Sequence, residues 1–143
     1  MRTILLIMIG LSAFLSADFI KSGDVVTDRE TGLQWQDNNE TNSIGHNWQE
    51  SIDYCESLTL DTHDDWRLPN INELRTLIDR SKMFPVIKGV FEYIGTSNFY
   101  RYWSSTSVVG NEDNVWLVGF DSGDVFGQDK NDNYYVRCVR DGQ

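Results

Sequence analysis

The sequence predicts an α+β fold in which two helices are framed by several antiparallel strands. Three observations carry that expectation. Short apolar runs bounded by turn residues fill both ends of the chain. Between them lie two stretches of helical spacing, each opened by an Asn with a Glu three residues later. No internal repeat at solenoid or propeller spacing competes. The organising stretch is Asp65-Trp66-Arg67-Leu68-Pro69-Asn70-Ile71-Asn72-Glu73-Leu74. Trp66 and Leu68 alternate as in a half-buried strand, and Pro69, with no N–H and a fixed φ, pushes Leu68 toward extended backbone. Asn70 then caps a helix, Glu73 completes the capping box, and Ile71, Leu74, Leu77 and Ile78 give it one apolar face to about residue 79.

The other elements follow in order. Residues 1–17 read as a signal peptide, with Arg2 ahead of an apolar run over residues 4–15 and a small-residue end at Ser16-Ala17. The run is shorter than the roughly 20 residues of a membrane span. Cleavage after Ala17 would leave one domain, residues 18–143, exported to the periplasm or secreted. Val25-Val26-Thr27 is a short strand. Thr31-Gly32-Leu33-Gln34-Trp35-Gln36 is a second, with Leu33 and Trp35 inward, and the charged, Gly-containing stretch between them is a hairpin turn. Residues 37–45 form a polar loop. Asn47 and Glu50 open the first helix, striped by Trp48, Ile52, Cys55 and Leu58. Residues 80–100 are irregular, broken at Pro85, with a mildly amphipathic piece over 86–94 and a turn over 95–98. Tyr102-Trp103-Ser104-Ser105-Thr106 is a strand. Val115-Trp116-Leu117-Val118-Gly119-Phe120 is the next, with Trp116, Val118 and Phe120 on one face. Asp121-Ser122-Gly123-Asp124 is a turn, Val125-Phe126 the return, and residues 134–140 the closing strand.

A formal charge of −10 excludes nucleic acid as a partner and, once the signal is cleaved, argues against an anionic membrane, since no run of Lys or Arg offsets it. Five Trp in so short a chain are expected mostly in the core. Two cysteines in an exported chain suggest a bridge, Cys55 on the first helix to Cys138 on the last strand, with two separate buried thiols as the alternative. Neither has a His beside it in sequence to activate a nucleophile. His46 and His63 are the only histidines, and both read as loop residues. With no G-x-S-x-G, no phosphate loop and no Ser/His/Asp set, no catalytic residue is assigned and the chain is not read as an enzyme. Asp129-Lys130-Asn131-Asp132-Asn133 offers hard oxygen ligands but lacks the Gly and closing Glu of an EF-hand loop. Should Asp121, Asp124, Asp129 and Asn131 converge, they would make a weak calcium site; otherwise they form a solvated turn, and no other cofactor is indicated. Tyr100, Arg101 and Tyr102 beside Trp103 would make a sugar-stacking platform, with core packing of alternate members as the competing reading.

Several of these motifs come in an order seen in one family. Thr31-Gly32-Leu33-Gln34-Trp35-Gln36, Trp48 through Tyr54-Cys55, Asp65-Trp66-Arg67-Leu68-Pro69 with Glu73-Leu74, Tyr102-Trp103-Ser104-Ser105-Thr106 and Val136-Arg137-Cys138-Val139-Arg140 resemble the DUF1566 domain, the C-terminal domain of Legionella collagen-like proteins. The resemblance covers nearly all of the chain after the leader. It implies a C-type-lectin-like fold, distantly similar to formylglycine-generating enzymes, whose long loops face ligands. Formylglycine-generating enzymes bind copper through a cysteine pair; here both Cys are committed to the expected bridge, and that activity is not carried over. The Glu-Pro-Asn, Gln-Pro-Asp and Trp-Asn-Asp triplets with which sugar-binding C-type lectins place calcium are absent. Some members sit on adhesins that bind sulfated glycans, for which an acidic chain without a basic cluster is a poor electrostatic match. The expected function is an exported recognition or adhesion module binding a glycan or a protein ligand. The alternative is a structural or assembly domain contacting another envelope protein.

Overall fold

The computed structural model describes residues 18–43, 45–95 and 100–142. The predicted signal peptide and most of the expected turn over 95–98 lie outside them. Seven strands form two antiparallel sheets. The first has the order β1 (Phe19–Ser22), β2 (Val25–Asp28), β3 (Gln34–Gln36) and β7 (Val139–Arg140). The second is the meander β4 (Arg101–Val108), β5 (Asn111–Gly119) and β6 (Asp124–Asp129). Two helices, α1 (Trp48–Ser57) and α2 (Ile71–Arg75), lie between them in the chain. The α+β expectation therefore holds.

Both helices begin where local chemistry says they must. Asn47 and Asn70 each accept a hydrogen bond from the backbone N–H three residues on, and Glu50 and Glu73 each accept one from the cap's own N–H. Each box satisfies two amide donors that the first helical turn leaves orphaned. Asn70→Ala should lower stability by about 1 kcal/mol, read from the denaturant midpoint at unchanged slope. The second helix is shorter than its apolar spacing predicts. Thr76 Oγ1 donates to the Glu73 carbonyl at the cap, and from there the chain joins residues 86–88 in a short ladder. Lys88 N–H donates to Leu77 O, Asp79 N–H to Val86 O, and Ile78 pairs with Ile87. The backbone trades helical bonds for sheet-like ones, and Leu77 and Ile87 are buried either way.

The meander is covered on both faces. Tyr102, Val118 and Phe120 pack with Leu74, Leu77, Ile87 and Phe91. Trp103, Val115 and Leu117 point the other way, into a second cluster with Cys55, Trp66, Leu68 and Cys138. The sequence assigned only one buried face to β5; the second exists because α1 and the Trp66–Leu68 corner close over it. Trp66 and Leu68 belong to no named strand, although Arg67 between them bridges Val139. The closing strand is also shorter than read: residues 134–139 pair in turn with His46, Tyr102, Arg67 and β3, changing partner too often for one long ladder. β1 has no counterpart among the predicted elements, and the polar loop contains a 3-10 turn, Asn39–Asn42, capped by Asn38.

Cys55 and Cys138 form a disulfide, 83 residues apart in sequence, at the centre of the second cluster. No helix among the described residues is long and apolar enough to cross a membrane.

Candidate functional site

The charged residues of the organising stretch serve the scaffold. Arg67 makes a paired fork to both Glu73 oxygens, at 2.7 and 2.8 Å, and reaches Asp141 at 2.7 Å. Burial pushes the Glu73 carboxyl up, but the Arg67 fork, the Asn70 N–H and the Arg67 charge outweigh it and leave the group below its usual range. Arg140 answers from the last strand, holding Asp65 at 2.6 Å. Both pairs tie the Pro69 corner to the end of the chain.

The residues predicted as sites separate. Tyr102 is fully buried; its hydroxyl donates to Thr41 O and accepts from Gly95 N–H, so it cannot stack a sugar. Arg101 alternates to the opposite face, with its guanidinium over the Phe126 and Tyr134 rings. Tyr100 is half-buried, edge-on to Phe84. Strand alternation therefore dismantles the expected platform: neighbours along a strand face opposite ways. The expected calcium ligands do not converge either. Asp124 and Asp129 are the two ends of β6, about 17 Å apart at a strand's rise of roughly 3.3 Å per residue. Asp121 and Asp124 bond to Ser122, while Asp129 accepts from both nitrogens of Asn131. Each pair closes its own turn. Among the described residues no three His, Cys, Asp or Glu side chains are grouped to hold a metal.

The open surface lies elsewhere, around α2. Ile71 N–H donates to Thr106 Oγ1, which fastens the helix start to β4 and turns Asn72, Arg75 and Thr76 outward. Two clefts of about 430 and 410 Å³ meet at Arg75. The smaller is lined by Ile71, Arg75, Trp116 and Val125, between the helix and the sheet. Trp116 differs from the other tryptophans. Trp35, Trp66 and Trp103 are buried, and Trp48 donates to Ser104 O beneath the Lys130 ammonium. Trp116 is half-buried, and its indole N–H has no acceptor among the described residues. Gly127 faces it across the ladder and offers no side chain to cover it.

The larger cleft is cationic, lined by Arg75, Arg80 and Lys88 with Asn72, Thr76, Ile78 and Asp79. Asp79 is held below the usual carboxylate range, first by the Ser81 hydroxyl and backbone N–H, then by the Lys88 and Lys82 charges. The three bases are scattered in sequence and meet only because residues 77–79 pair with 86–88. The absence of a basic cluster, inferred from the sequence, is thus corrected by the fold. Gly123, in the β5–β6 turn at a φ of 78°, sits so near Ile78 and Val86 that a side chain there would press on both and touch Arg80. No spacing signal marked this site. The only hint was one tryptophan too many for the core.

No curated protein matches the sequence. The family model of the Lcl C-terminal domain matches residues 24–140, a span that takes in both helices and every strand but β1. The chain belongs to the Lcl C-terminal domain family.

Proposed function

We propose that this is an exported recognition module of C-type-lectin-like fold, a binding domain and not an enzyme, which takes a glycan ligand in the paired clefts at α2. The observation that carries the reading is the meeting of a half-buried indole and a cationic pocket at one uncommitted arginine: among the described residues the Arg75 guanidinium has no carboxylate or carbonyl partner. An aromatic face beside fixed donors suits a sugar ring, which has an apolar side and a polar rim. The positive lining favours a glycan with a negatively charged substituent, because a guanidinium fork matches a planar oxyanion. The buried disulfide supports export, since such bonds persist in oxidising compartments.

A glycan array followed by titration of the strongest hit is the test. Trp116→Ala and Arg75→Ala should each weaken binding about tenfold, the loss expected for an interface anchor. Arg75→Ala should leave the melting temperature unmoved because its side chain is exposed. Trp116→Ala removes a half-buried ring and will lower it, so binding by that variant is read well below its melting point. An array without a retained glycan, or two variants that bind like the parent, would sink the proposal.

A further inference from the structure

The larger cleft carries a protruding loop at its mouth. Asp79 N–H donates to Val86 O and closes residues 80–85 into a turn: Arg80-Ser81-Lys82-Met83-Phe84-Pro85. At its tip Met83 is 96 % exposed and Phe84 59 %. Met83 stands free and Phe84, although its ring meets Tyr100 edge-on, keeps more than half of its surface in water; two adjacent large apolar side chains so placed mark a contact surface. The residues around it are basic. Arg80 and Lys82 precede the tip, Lys88 follows, and the Lys82 ammonium lies against Gly89. Between residues 75 and 88 four bases face a single carboxylate, Asp79, which is already bonded to Ser81.

We propose that this loop seats the protein on an anionic lipid surface, with Met83 and Phe84 entering the acyl region while Lys82 beside the tip and Arg80 and Lys88 from the cleft wall meet the phosphates. Because Arg80 and Lys88 also line the proposed glycan cleft, lipid and glycan exclude one another there. The summed charge of −10 conceals this patch, and the proposal departs at this one face from the expectation that the acidic chain avoids such a surface. Apolar burial and headgroup attraction act together here, as in other interfacial anchors. Each base near the surface strengthens attachment about fivefold. Asp121 and Asp124, on the turn beside Arg80, oppose it, so attachment is reversible and weakens as salt rises. The molecule supplies its own control. Val109 is 98 % exposed at the β4–β5 hairpin, but its nearest charged neighbours in sequence are Glu112 and Asp113. An apolar tip with acidic neighbours should not attach.

The test uses the full chain with a polarity-sensitive dye on Met83→Cys or, separately, on Val109→Cys. The vesicles are phosphatidylcholine alone or phosphatidylcholine with an equal part of phosphatidylglycerol. The dye at position 83 should shift to the blue on the anionic vesicles only, and the dye at 109 on neither. Changing Arg80, Lys82 and Lys88 to Gln should weaken the response at 83 by tenfold or more, and Phe84→Ser should weaken it at a temperature where circular dichroism shows the variant folded. Inorganic phosphate at the same charge concentration should not reproduce the shift; if it does, the bases hold a soluble anion and the lipid surface is overturned. No shift at 83 on either vesicle, or equal shifts at 83 and 109, would overturn it as well.

Discussion

Replacing both cysteines by Ala should lower the unfolding free energy by about 4.5 kcal/mol, because the bridge closes a loop of 83 residues that the unfolded chain would otherwise leave free. The native side adds to that loss. Cys55 and Cys138 are both fully buried among Trp66, Leu68, Trp103 and Val136, so the two thioether-sized volumes are not refilled by solvent. The prediction has a chemical half and a thermodynamic half. Thiol titration of the denatured, unreduced protein should find no free thiol, as both described cysteines are paired. Denaturant curves with and without reductant should then separate by the stated amount, and superimposed curves would show that the bridge constrains nothing.

The second large effect is expected at Arg137, which is fully buried. Its guanidinium donates to the Gln36 carbonyl and to Asp37 Oδ1 at 3.0 Å, bonds to Tyr93 O, and lies over the Phe91 and Tyr102 rings. Asp37 is equally buried and also receives Lys21 and the backbone N–H groups of Glu92 and Tyr93. Arg137→Met keeps the volume between the rings but leaves a carboxylate buried with only one cation, at a cost of about 3–5 kcal/mol. The pH dependence gives an independent check. Burial raises the Asp37 carboxyl, but the Arg137 charge and the Glu92, Lys21 and Arg137 hydrogen bonds together take it below 3.8. A lowered carboxylate contributes stability that is fully present above its unfolded value, near 4, and lost as pH falls through the folded value. The parent should therefore lose this contribution as pH falls below the ordinary aspartate value. In Arg137→Met the largest lowering influence is gone, and the acid limb should begin at a higher pH. An unchanged limb would mean that Asp37 is held by Lys21 and the amides alone.

How much of this was legible depended on how local the cause was. Asn47 with Glu50 and Asn70 with Glu73 announced both helix starts, because a capping box is complete within four residues. The hairpin after Asp28 was legible for the same reason: Gly32 and the Asp28 carboxylate close it. The end of α2 was not, since it is decided by pairing with residues 86–88, whose strand-like character shows only once the partner is present. Arg67 and Arg140 stood in the sequence only as members of ordered motifs, and the fold makes them the corner's fastenings. Arg75, Arg80 and Lys88 looked like scattered surface charge and proved to share a cleft. Pairing across the fold brought those charges together, and periodicity carries no record of it. Trp116 matched the pattern of Val118 and Phe120, yet it lies one turn of pleat beyond the edge of the covered region.

The place of β7 has a consequence for how the molecule comes into being. β3 finds one of its two neighbours, Arg67 its bridge, and Cys55 its partner only in residues 138–140. A chain emerging from its amino end thus holds no complete first sheet until Val139 and Arg140 are out. The early segments can form the β1–β2–β3 meander and both helices, but nothing locks them. Such long-range closure is slow, because the entropy of ordering everything between is lost before any contact compensates.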